Sequence, residues 1–299
     1  MFVVNNRKIF YIISSILVIG SILSLIFWGL NFSIDFTGGS SIEVNYPGGR
    51  PPQADIEAKL ESLSLVGSSV RPAGNTEYII QTTTLSDAQR QTVEDALTID
   101  GRTAQIEEFD TVGPILGKEL QEKAILSIIL VIIAIVLFIT FAFRKVSKPV
   151  ASWKYGLIAI VALIHDVIVP TGVFSIVGHF AGFQVDTLFV TAILVVLGFS
   201  VHDTIVVFDR TRENLKLNTN DKKPFAEIVG DSISQTFTRS INTSLTVVLS
   251  LLVLYFIGAD VTKNFALTLL VGIIAGTYSS VFLGSPLLVT LEKWQNRKK

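Results

Sequence analysis

Six stretches of this 299-residue chain are apolar over about the length that crosses a bilayer, and a single long polar stretch interrupts them. A hydrocarbon core takes roughly 20 apolar residues per helix. Inside it every backbone N–H and C=O must find a partner within the segment, which leaves helices as the solution for runs of this kind. The predicted spans are 9–30, 124–143, 155–177, 187–208, 240–257 and 265–288. Composition agrees, with 49% hydrophobic and 16% charged residues, against roughly 25% charged in soluble domains. Without cysteine there are no disulfides and no thiolate chemistry. With three His, a metal centre is not expected.

The polar stretch 31–122 reads as one small α+β domain. Alternation marks strands at 40–46, 66–71, 77–83 and 104–112, with a turn at 72–75. Ile56, Leu60 and Leu63 give a helix over 53–63, and Ser86 caps a second one carrying Val93 and Leu97. The order β-α-β-β-α-β is that of a ferredoxin-like fold. Gly38–Gly39 and Gly48–Gly49 are turn residues, since neither fits a phosphate-binding loop.

Lys and Arg set the orientation. Arg7, Lys8, Arg144, Lys145, Lys148, Lys154, Arg210, Arg212, Lys216, Lys222, Lys223, Lys293, Arg297, Lys298 and Lys299 fall on one side, and the two short loops of the other side carry Lys263 alone. Positive charge stays in the cytoplasm. Both termini and the loop 209–239 are therefore expected inside and the polar domain outside. The resulting plan is residues 1–30 as N-terminus and first span, 31–122 as external domain, 123–291 as spans two to six, and 292–299 as a basic tail. Phe225, Ile228, Val229, Ile233 and Phe237 after Pro224 suggest an amphipathic helix on the membrane surface.

Ionisable side chains inside spans mark function by default, because each is costly to bury. Here they are His165, Asp166 and Asp203, with His202 beside the last and Arg239 at the edge of span five. Ser200 and Asp203 share a helix face at i, i+3, with Thr204 adjoining. Two acids on two spans raise an intramembrane aspartyl protease, but the Gly-x-Gly-Asp pattern is absent before Asp203. His165-Asp166 raises a metal phosphohydrolase, but no further His partners accompany it. Helix packing alone accounts for His165 and His202. Gly272, Gly276, Ser280 and Gly284 form a small-residue stripe that lets another helix approach closely.

Five stretches taken together resemble the SecF branch of the SecD/SecF protein-export family: FSIDFTGGSSIEV (with Asp35, Phe36, Thr37, Gly38 and Gly39), VGPILGKEL, GFSVHDTIVVFDRTREN, TRSINTSLT and GTYSS. The resemblance runs from the first span to the last. It implies the resistance–nodulation–division transporter fold, a SecD partner supplying six more spans, association with the SecYEG translocon, and a translocating polypeptide as the moving substrate. It implies proton flow, with Asp203 as the proton-carrying acid, Arg239 as its partner and Asp166 as a further relay position, supported by Ser200, His202 and Thr204. His202 stands where many family members carry Asn. No enzymatic activity, cofactor or nucleic-acid partner is implied. The implied location is a plasma or thylakoid membrane, in contact with lipid. A half-transporter of the same superfamily, moving a small molecule or lipid, and a scaffold without transport stay open as alternatives.

Overall fold

A computed structural model describes the chain apart from residues 66, 100, 145–149, 219–222 and 297–299. Lys145, Lys148, Lys222, Arg297, Lys298 and Lys299 of the basic loops, and the expected strand start at Val66, lie outside the described residues. In chain order the elements are α1 (Arg7–Trp28), β1 (Gly39–Asn45), α2 (Gln53–Ser62), β2 (Ser69–Ala73), β3 (Glu77–Thr82), α3 (Asp87–Ala96), β4 (Gln105–Val112), α4 (Pro114–Ala142), α5 (Ser152–Ala181), α6 (Thr187–Leu217), α7 (Phe225–Ile257), α8 (Asp260–Tyr278), a π-helical segment (Ser279–Gly284) and α9 (Ser285–Asn296). They form two compact units, one of residues 31–125 with 184–187, the other of the remaining segments.

The first unit is a four-stranded antiparallel sheet in the order β2-β3-β1-β4, the ferredoxin-like arrangement. Alternation in β1 sends Ile42 and Val44 inward, and Tyr46 continues the series. They meet Tyr78 and Ile80 of β3, Ile56 and Leu60 of α2, and Val93 and Leu97 around α3. Each such side chain contributes about 1.5–3 kcal/mol by leaving water. Buried hydroxyls are satisfied: Tyr46 Oη donates to the Leu97 carbonyl at 2.9 Å, Tyr78 Oη to that of Pro51 at 2.8 Å. Pro72 lies within β2 rather than in the following turn. β2 is an edge strand, the place in a sheet where a residue without N–H is tolerated. Ser86 N–H donates to Gln89 Oε1 at 3.0 Å, fixing the start of α3.

Among the described residues six helices are long and apolar enough to cross a membrane, the last of them α8 to α9 through the π segment. Lipid tails are as apolar as Leu, so close packing and hydrogen bonds hold such helices together. Ser14, Ser21 and Ser24 form the buried face of α1. At Gly172 of α5 a Cβ would collide with Ser21, and Ser24 Oγ reaches the Gly172 carbonyl at 2.9 Å. Phe143 and Tyr155 stack and Phe208 meets both edge-on, a buried aromatic trio with ring centroids 5.2–6.0 Å apart.

One expectation is corrected here. Residues 225–237 are not a separate surface helix but the first turns of α7, continuous into span five. Phe225, Ile228, Val229 and Ile233 are buried in the bundle, and Gly230 lies so close to Met1 that a Cβ there would collide with it. The amphipathic pattern reflects packing on protein.

Candidate functional site: buried acids of the third and fourth spans

Asp166 is fully buried at the middle of α5. Its Oδ1 lies 2.8 Å from Nδ1 of His165. Its Oδ2 accepts from Ser200 Oγ of α6 in a short bond and from Ser279 Oγ of the π segment at 2.8 Å. Three elements thus converge on one carboxylate. The backbone around it is broken on both sides. Pro170 has no N–H to return to the Asp166 carbonyl, and a residue further on Thr171 Oγ1 bonds the Val167 carbonyl at 2.6 Å. Opposite, the chain leaves α-helical pairing for Ser279–Gly284, a departure that recurs at functional sites.

A hydroxyl network extends from this point. Ser280 Oγ donates to the Ser200 carbonyl at 3.1 Å and sits 2.8 Å from Thr204 Oγ1. Ser285 Oγ donates to the Ser280 carbonyl at 2.7 Å. The stripe of small residues makes this possible. A Cβ on Gly276 would lie 2.9 Å from that of Ser200, and one on Gly272 would collide with Val196, so α8 meets α6 at backbone distance. Gly284 faces α5, where an added methyl would meet Ile158 Cγ2 at 3.8 Å, an ordinary contact.

Asp203, one turn beyond Ser200 on α6, is 2% exposed. Its Oδ1 lies 3.6 Å from His202 Nδ1, and its Oδ2 is buried without a hydrogen-bond partner. His202 is 55% exposed, so it does not fill a core position. Across on α7, Ser244 and Arg239 both interact with the Asp203 carboxyl group. Ser244 Oγ is engaged with Thr277 Oγ1 at 2.5 Å. Among the described residues no ion pair within 4 Å joins Asp203 to Arg239, whose side chain is exposed. Ser240 Oγ, one residue on, is also buried without a partner.

The fold brings Asp166, Ser200, Thr204, Ser280 and Gly276 into one cluster and sets Asp203 beside it, with Arg239 farther out. Asp35, Phe36, Thr37, Gly38 and Gly39 lie in the sheet unit. Gly38 and Gly39 have φ of +72° and +130°, and a Cβ on Gly38 would lie 2.8 Å from Pro114 Cα. Sequence reasoning missed Ser279 and the buried Ser244–Thr277 pair. The Ser-Ser at 279–280 beside a glycine stripe is the signal that was there to find. Among the described residues no cluster of three His, Cys, Asp or Glu side chains is arranged to hold a metal ion. Hydroxyls both donate and accept, so the serine–threonine network that surrounds Asp166 can rearrange its bonds, while Asp203 lies beside that network with Oδ2 unbonded.

These features define a multi-pass membrane protein with a ferredoxin-like domain between its first two spans and buried carboxylates in its third and fourth. The family described as protein export membrane protein SecD/SecF, C-terminal, matches residues 92–294, and the SecD/SecF GG motif matches residues 24–46. The chain belongs to the SecD/SecF family. It is 40% identical to the protein translocase subunit SecF of Thermobaculum terrenum over 99% of this chain and 94% of that one. It is 38% identical to that of Anaerolinea thermophila over 98% and 96%. The crystal structure of SecDF from Thermus thermophilus, a translocon-associated membrane protein, superposes with a TM-score of 0.84 at 32% identity. That match covers 98% of this chain and 38% of the longer SecDF chain.

Proposed function

We propose that this chain is a SecF-type subunit that acts with SecD on the SecYEG translocon and uses proton flow to promote late steps of polypeptide export. The observation that carries the reading is Asp203 Oδ2, an acid oxygen inside a span, out of water and without a hydrogen-bond partner. An ionisable group so placed is costly and gains a use if it takes up and releases a proton. Support for SecD as partner comes from the fused SecDF relative, in which a single chain contains a region like this one and much more besides. The half-exposed His202 and the exposed Arg239 then face the partner's helices rather than lipid.

Both termini are cytoplasmic in this reading, and the sheet domain lies outside, where it meets the emerging polypeptide. Protonation of Asp203 weakens its attraction to Arg239 and lets the span bundle rearrange. The membrane potential supplies roughly 2.3 kcal/mol per charge per 100 mV, enough to bias a two-state element. Asp166 is the second acid of the path, bridged toward Asp203 by Ser200 and Thr204, and the membrane is the plasma membrane. Asp203→Asn keeps the shape and removes the titration. The variant is expected to accumulate normally and to bind SecD, while the proton-dependent part of export in membrane vesicles disappears. Normal proton-driven export by Asp203→Asn at wild-type protein levels refutes the reading.

A further inference from the structure

Asp35 belongs to the sheet unit, yet its carboxylate is spent on the start of a membrane helix. Oδ2 accepts from the backbone N–H of Thr187 and from Thr187 Oγ1, both at 3.0 Å. Thr187 is the first residue of α6, the helix that carries Ser200 and Asp203. The first four amides of a helix have no partner within it, and a negative charge at that end is favoured by the helix dipole. Asp35 supplies both the acceptor and the charge, from 152 residues earlier in the chain.

The segment leading into α6 is bound to the same unit along its length. Ser33 N–H donates to the Val185 carbonyl at 2.9 Å, and Val185 N–H donates to that of Asn31 at 2.7 Å. The Gln81 and Gln184 amides exchange two hydrogen bonds, at 2.7 and 2.6 Å, and Gln81 belongs to β3. Residues 184–187 are therefore part of the sheet unit, although the chain on either side of them is membrane helix. Asp35 itself is held firmly. Its N–H donates to Ser33 Oγ, and the turn it begins ends at Gly38, with no room for a side chain against Pro114.

We infer that Asp35 is a positioning residue that pins the first turn of α6 to the sheet domain, so that a change of state in the helix bearing Asp203 is passed to the domain. α6 runs unbroken from Thr187 to Leu217, so a bond at its first residue acts on the helix that carries Asp203. The inference takes its signal, a change at Asp203, from the function proposed above. The pin itself stands on the bonds just described.

The test uses the full chain with its SecD partner in native-like membranes and reads amide hydrogen exchange, which does not depend on export. Asp35→Ala is expected to speed exchange in the first turn of α6 by roughly tenfold, the loss of one charge-assisted bond, with Asp35→Asn in between. Asp203→Asn alone is expected to shift exchange in β1, β3 and 184–187, and Asp35→Ala is expected to abolish that shift. Because the chain has no native cysteine, Asp35→Cys with Thr187→Cys gives a covalent replacement, expected to restore the shift when oxidised and not when reduced. A shift that persists unaltered in Asp35→Ala overturns the inference, and so does the absence of any shift on Asp203→Asn. Export measured on the same variants separates the two readings. If Asp203→Asn stops proton-driven export and Asp35→Ala leaves it intact, the pin is wrong and the proposed function stands.

Discussion

Removing the Asp166 carboxylate should loosen the bundle at its centre. Asp166→Ala deletes the acceptor for Ser200 and Ser279, which come from two other elements, and for His165 on its own helix. Three charge-assisted bonds at about 1.5–3 kcal/mol would sum to far more than is expected. Two effects reduce the sum. Alanine also removes the cost of keeping a carboxylate out of water. Interhelical hydrogen bonds in membranes average about 0.6 kcal/mol, with a maximum near 1.7. Ser279 Oγ has a second acceptor, the Gly276 carbonyl at 3.1 Å, whereas Ser200 Oγ has only Asp166 among the described bonds. Balancing these, we expect a loss of about 2–4 kcal/mol for Asp166→Ala and under about 1 for Asp166→Asn, which keeps the shape and one acceptor oxygen. The assay is reversible unfolding of purified protein in mixed micelles against a denaturing detergent, followed by tryptophan fluorescence. Equal midpoints for wild type and Asp166→Ala would refute the view that this carboxylate holds α5, α6 and the π segment together. Equal losses for Ala and Asn would show that charge, and not shape, is what matters there.

Gly276→Leu should force α8 from α6 at Ser200, where even a methyl would be only 2.9 Å away; overpacking of this kind costs about 1–3 kcal/mol. Recovery of the intact complex with wild-type thermal stability would show that the helices tolerate the bulk. In the sheet domain, burial first and the neighbouring Tyr78 second push the Tyr46 hydroxyl from its ordinary value to about 12. An unfolded tyrosine loses its proton near pH 10. From about pH 10 upward the unfolded chain therefore binds fewer protons than the folded one, and stability should fall as pH rises. The ultraviolet difference titration between wild type and Tyr46→Phe should show a phenol that ionises near 12; ionisation at 10 would contradict its burial. Single cysteines at Ser64 and Asn218 should label from opposite faces of the membrane, and labelling from one face would reverse the proposed topology.

The fold was legible because its signals are periodic. Runs of about 20 apolar residues located the spans, and strict alternation from Ser40 to Tyr46 placed β1 within a residue of its observed limits. The pattern over Phe225–Phe237 was read correctly as a helix face but given the wrong neighbour. Hydropathy drops at Arg239 and Asn242, yet no helix breaker stands between Phe237 and Ser240, so the helix runs on. The site was half legible. A carboxylate in an apolar run announces itself, as Asp166 and Asp203 do, but the hydroxyls that partner it do not. Serine is neutral to any hydropathy reading, and Ser279 acquires its place only through a turn that departs from α-helical pairing. The bond between Asp35 and Thr187 joins residues far apart in sequence and leaves no periodic trace.

The π segment in the last span also constrains how this chain can change length. Small residues at Gly272, Gly276, Ser280 and Gly284 recur every four positions, and in a regular helix of 3.6 residues per turn such a row drifts by roughly 40° at each step. A turn closed by i→i+5 bonds takes more residues to come round, so the wider turn at Ser279–Gly284 takes back part of that drift. The segment behaves as a one-residue insertion absorbed without breaking the helix. Deleting any one residue from it would allow the span to close into uninterrupted α-helix. The helix after it would keep its facing, with Leu288 and Val289 still in the interior they now fill, and what is lost is the wider turn that brings Ser279 to Asp166. A deletion there is therefore absorbed by the rest of the span and felt at Asp166, whereas exposed positions such as Ile274 are free to vary among apolar side chains.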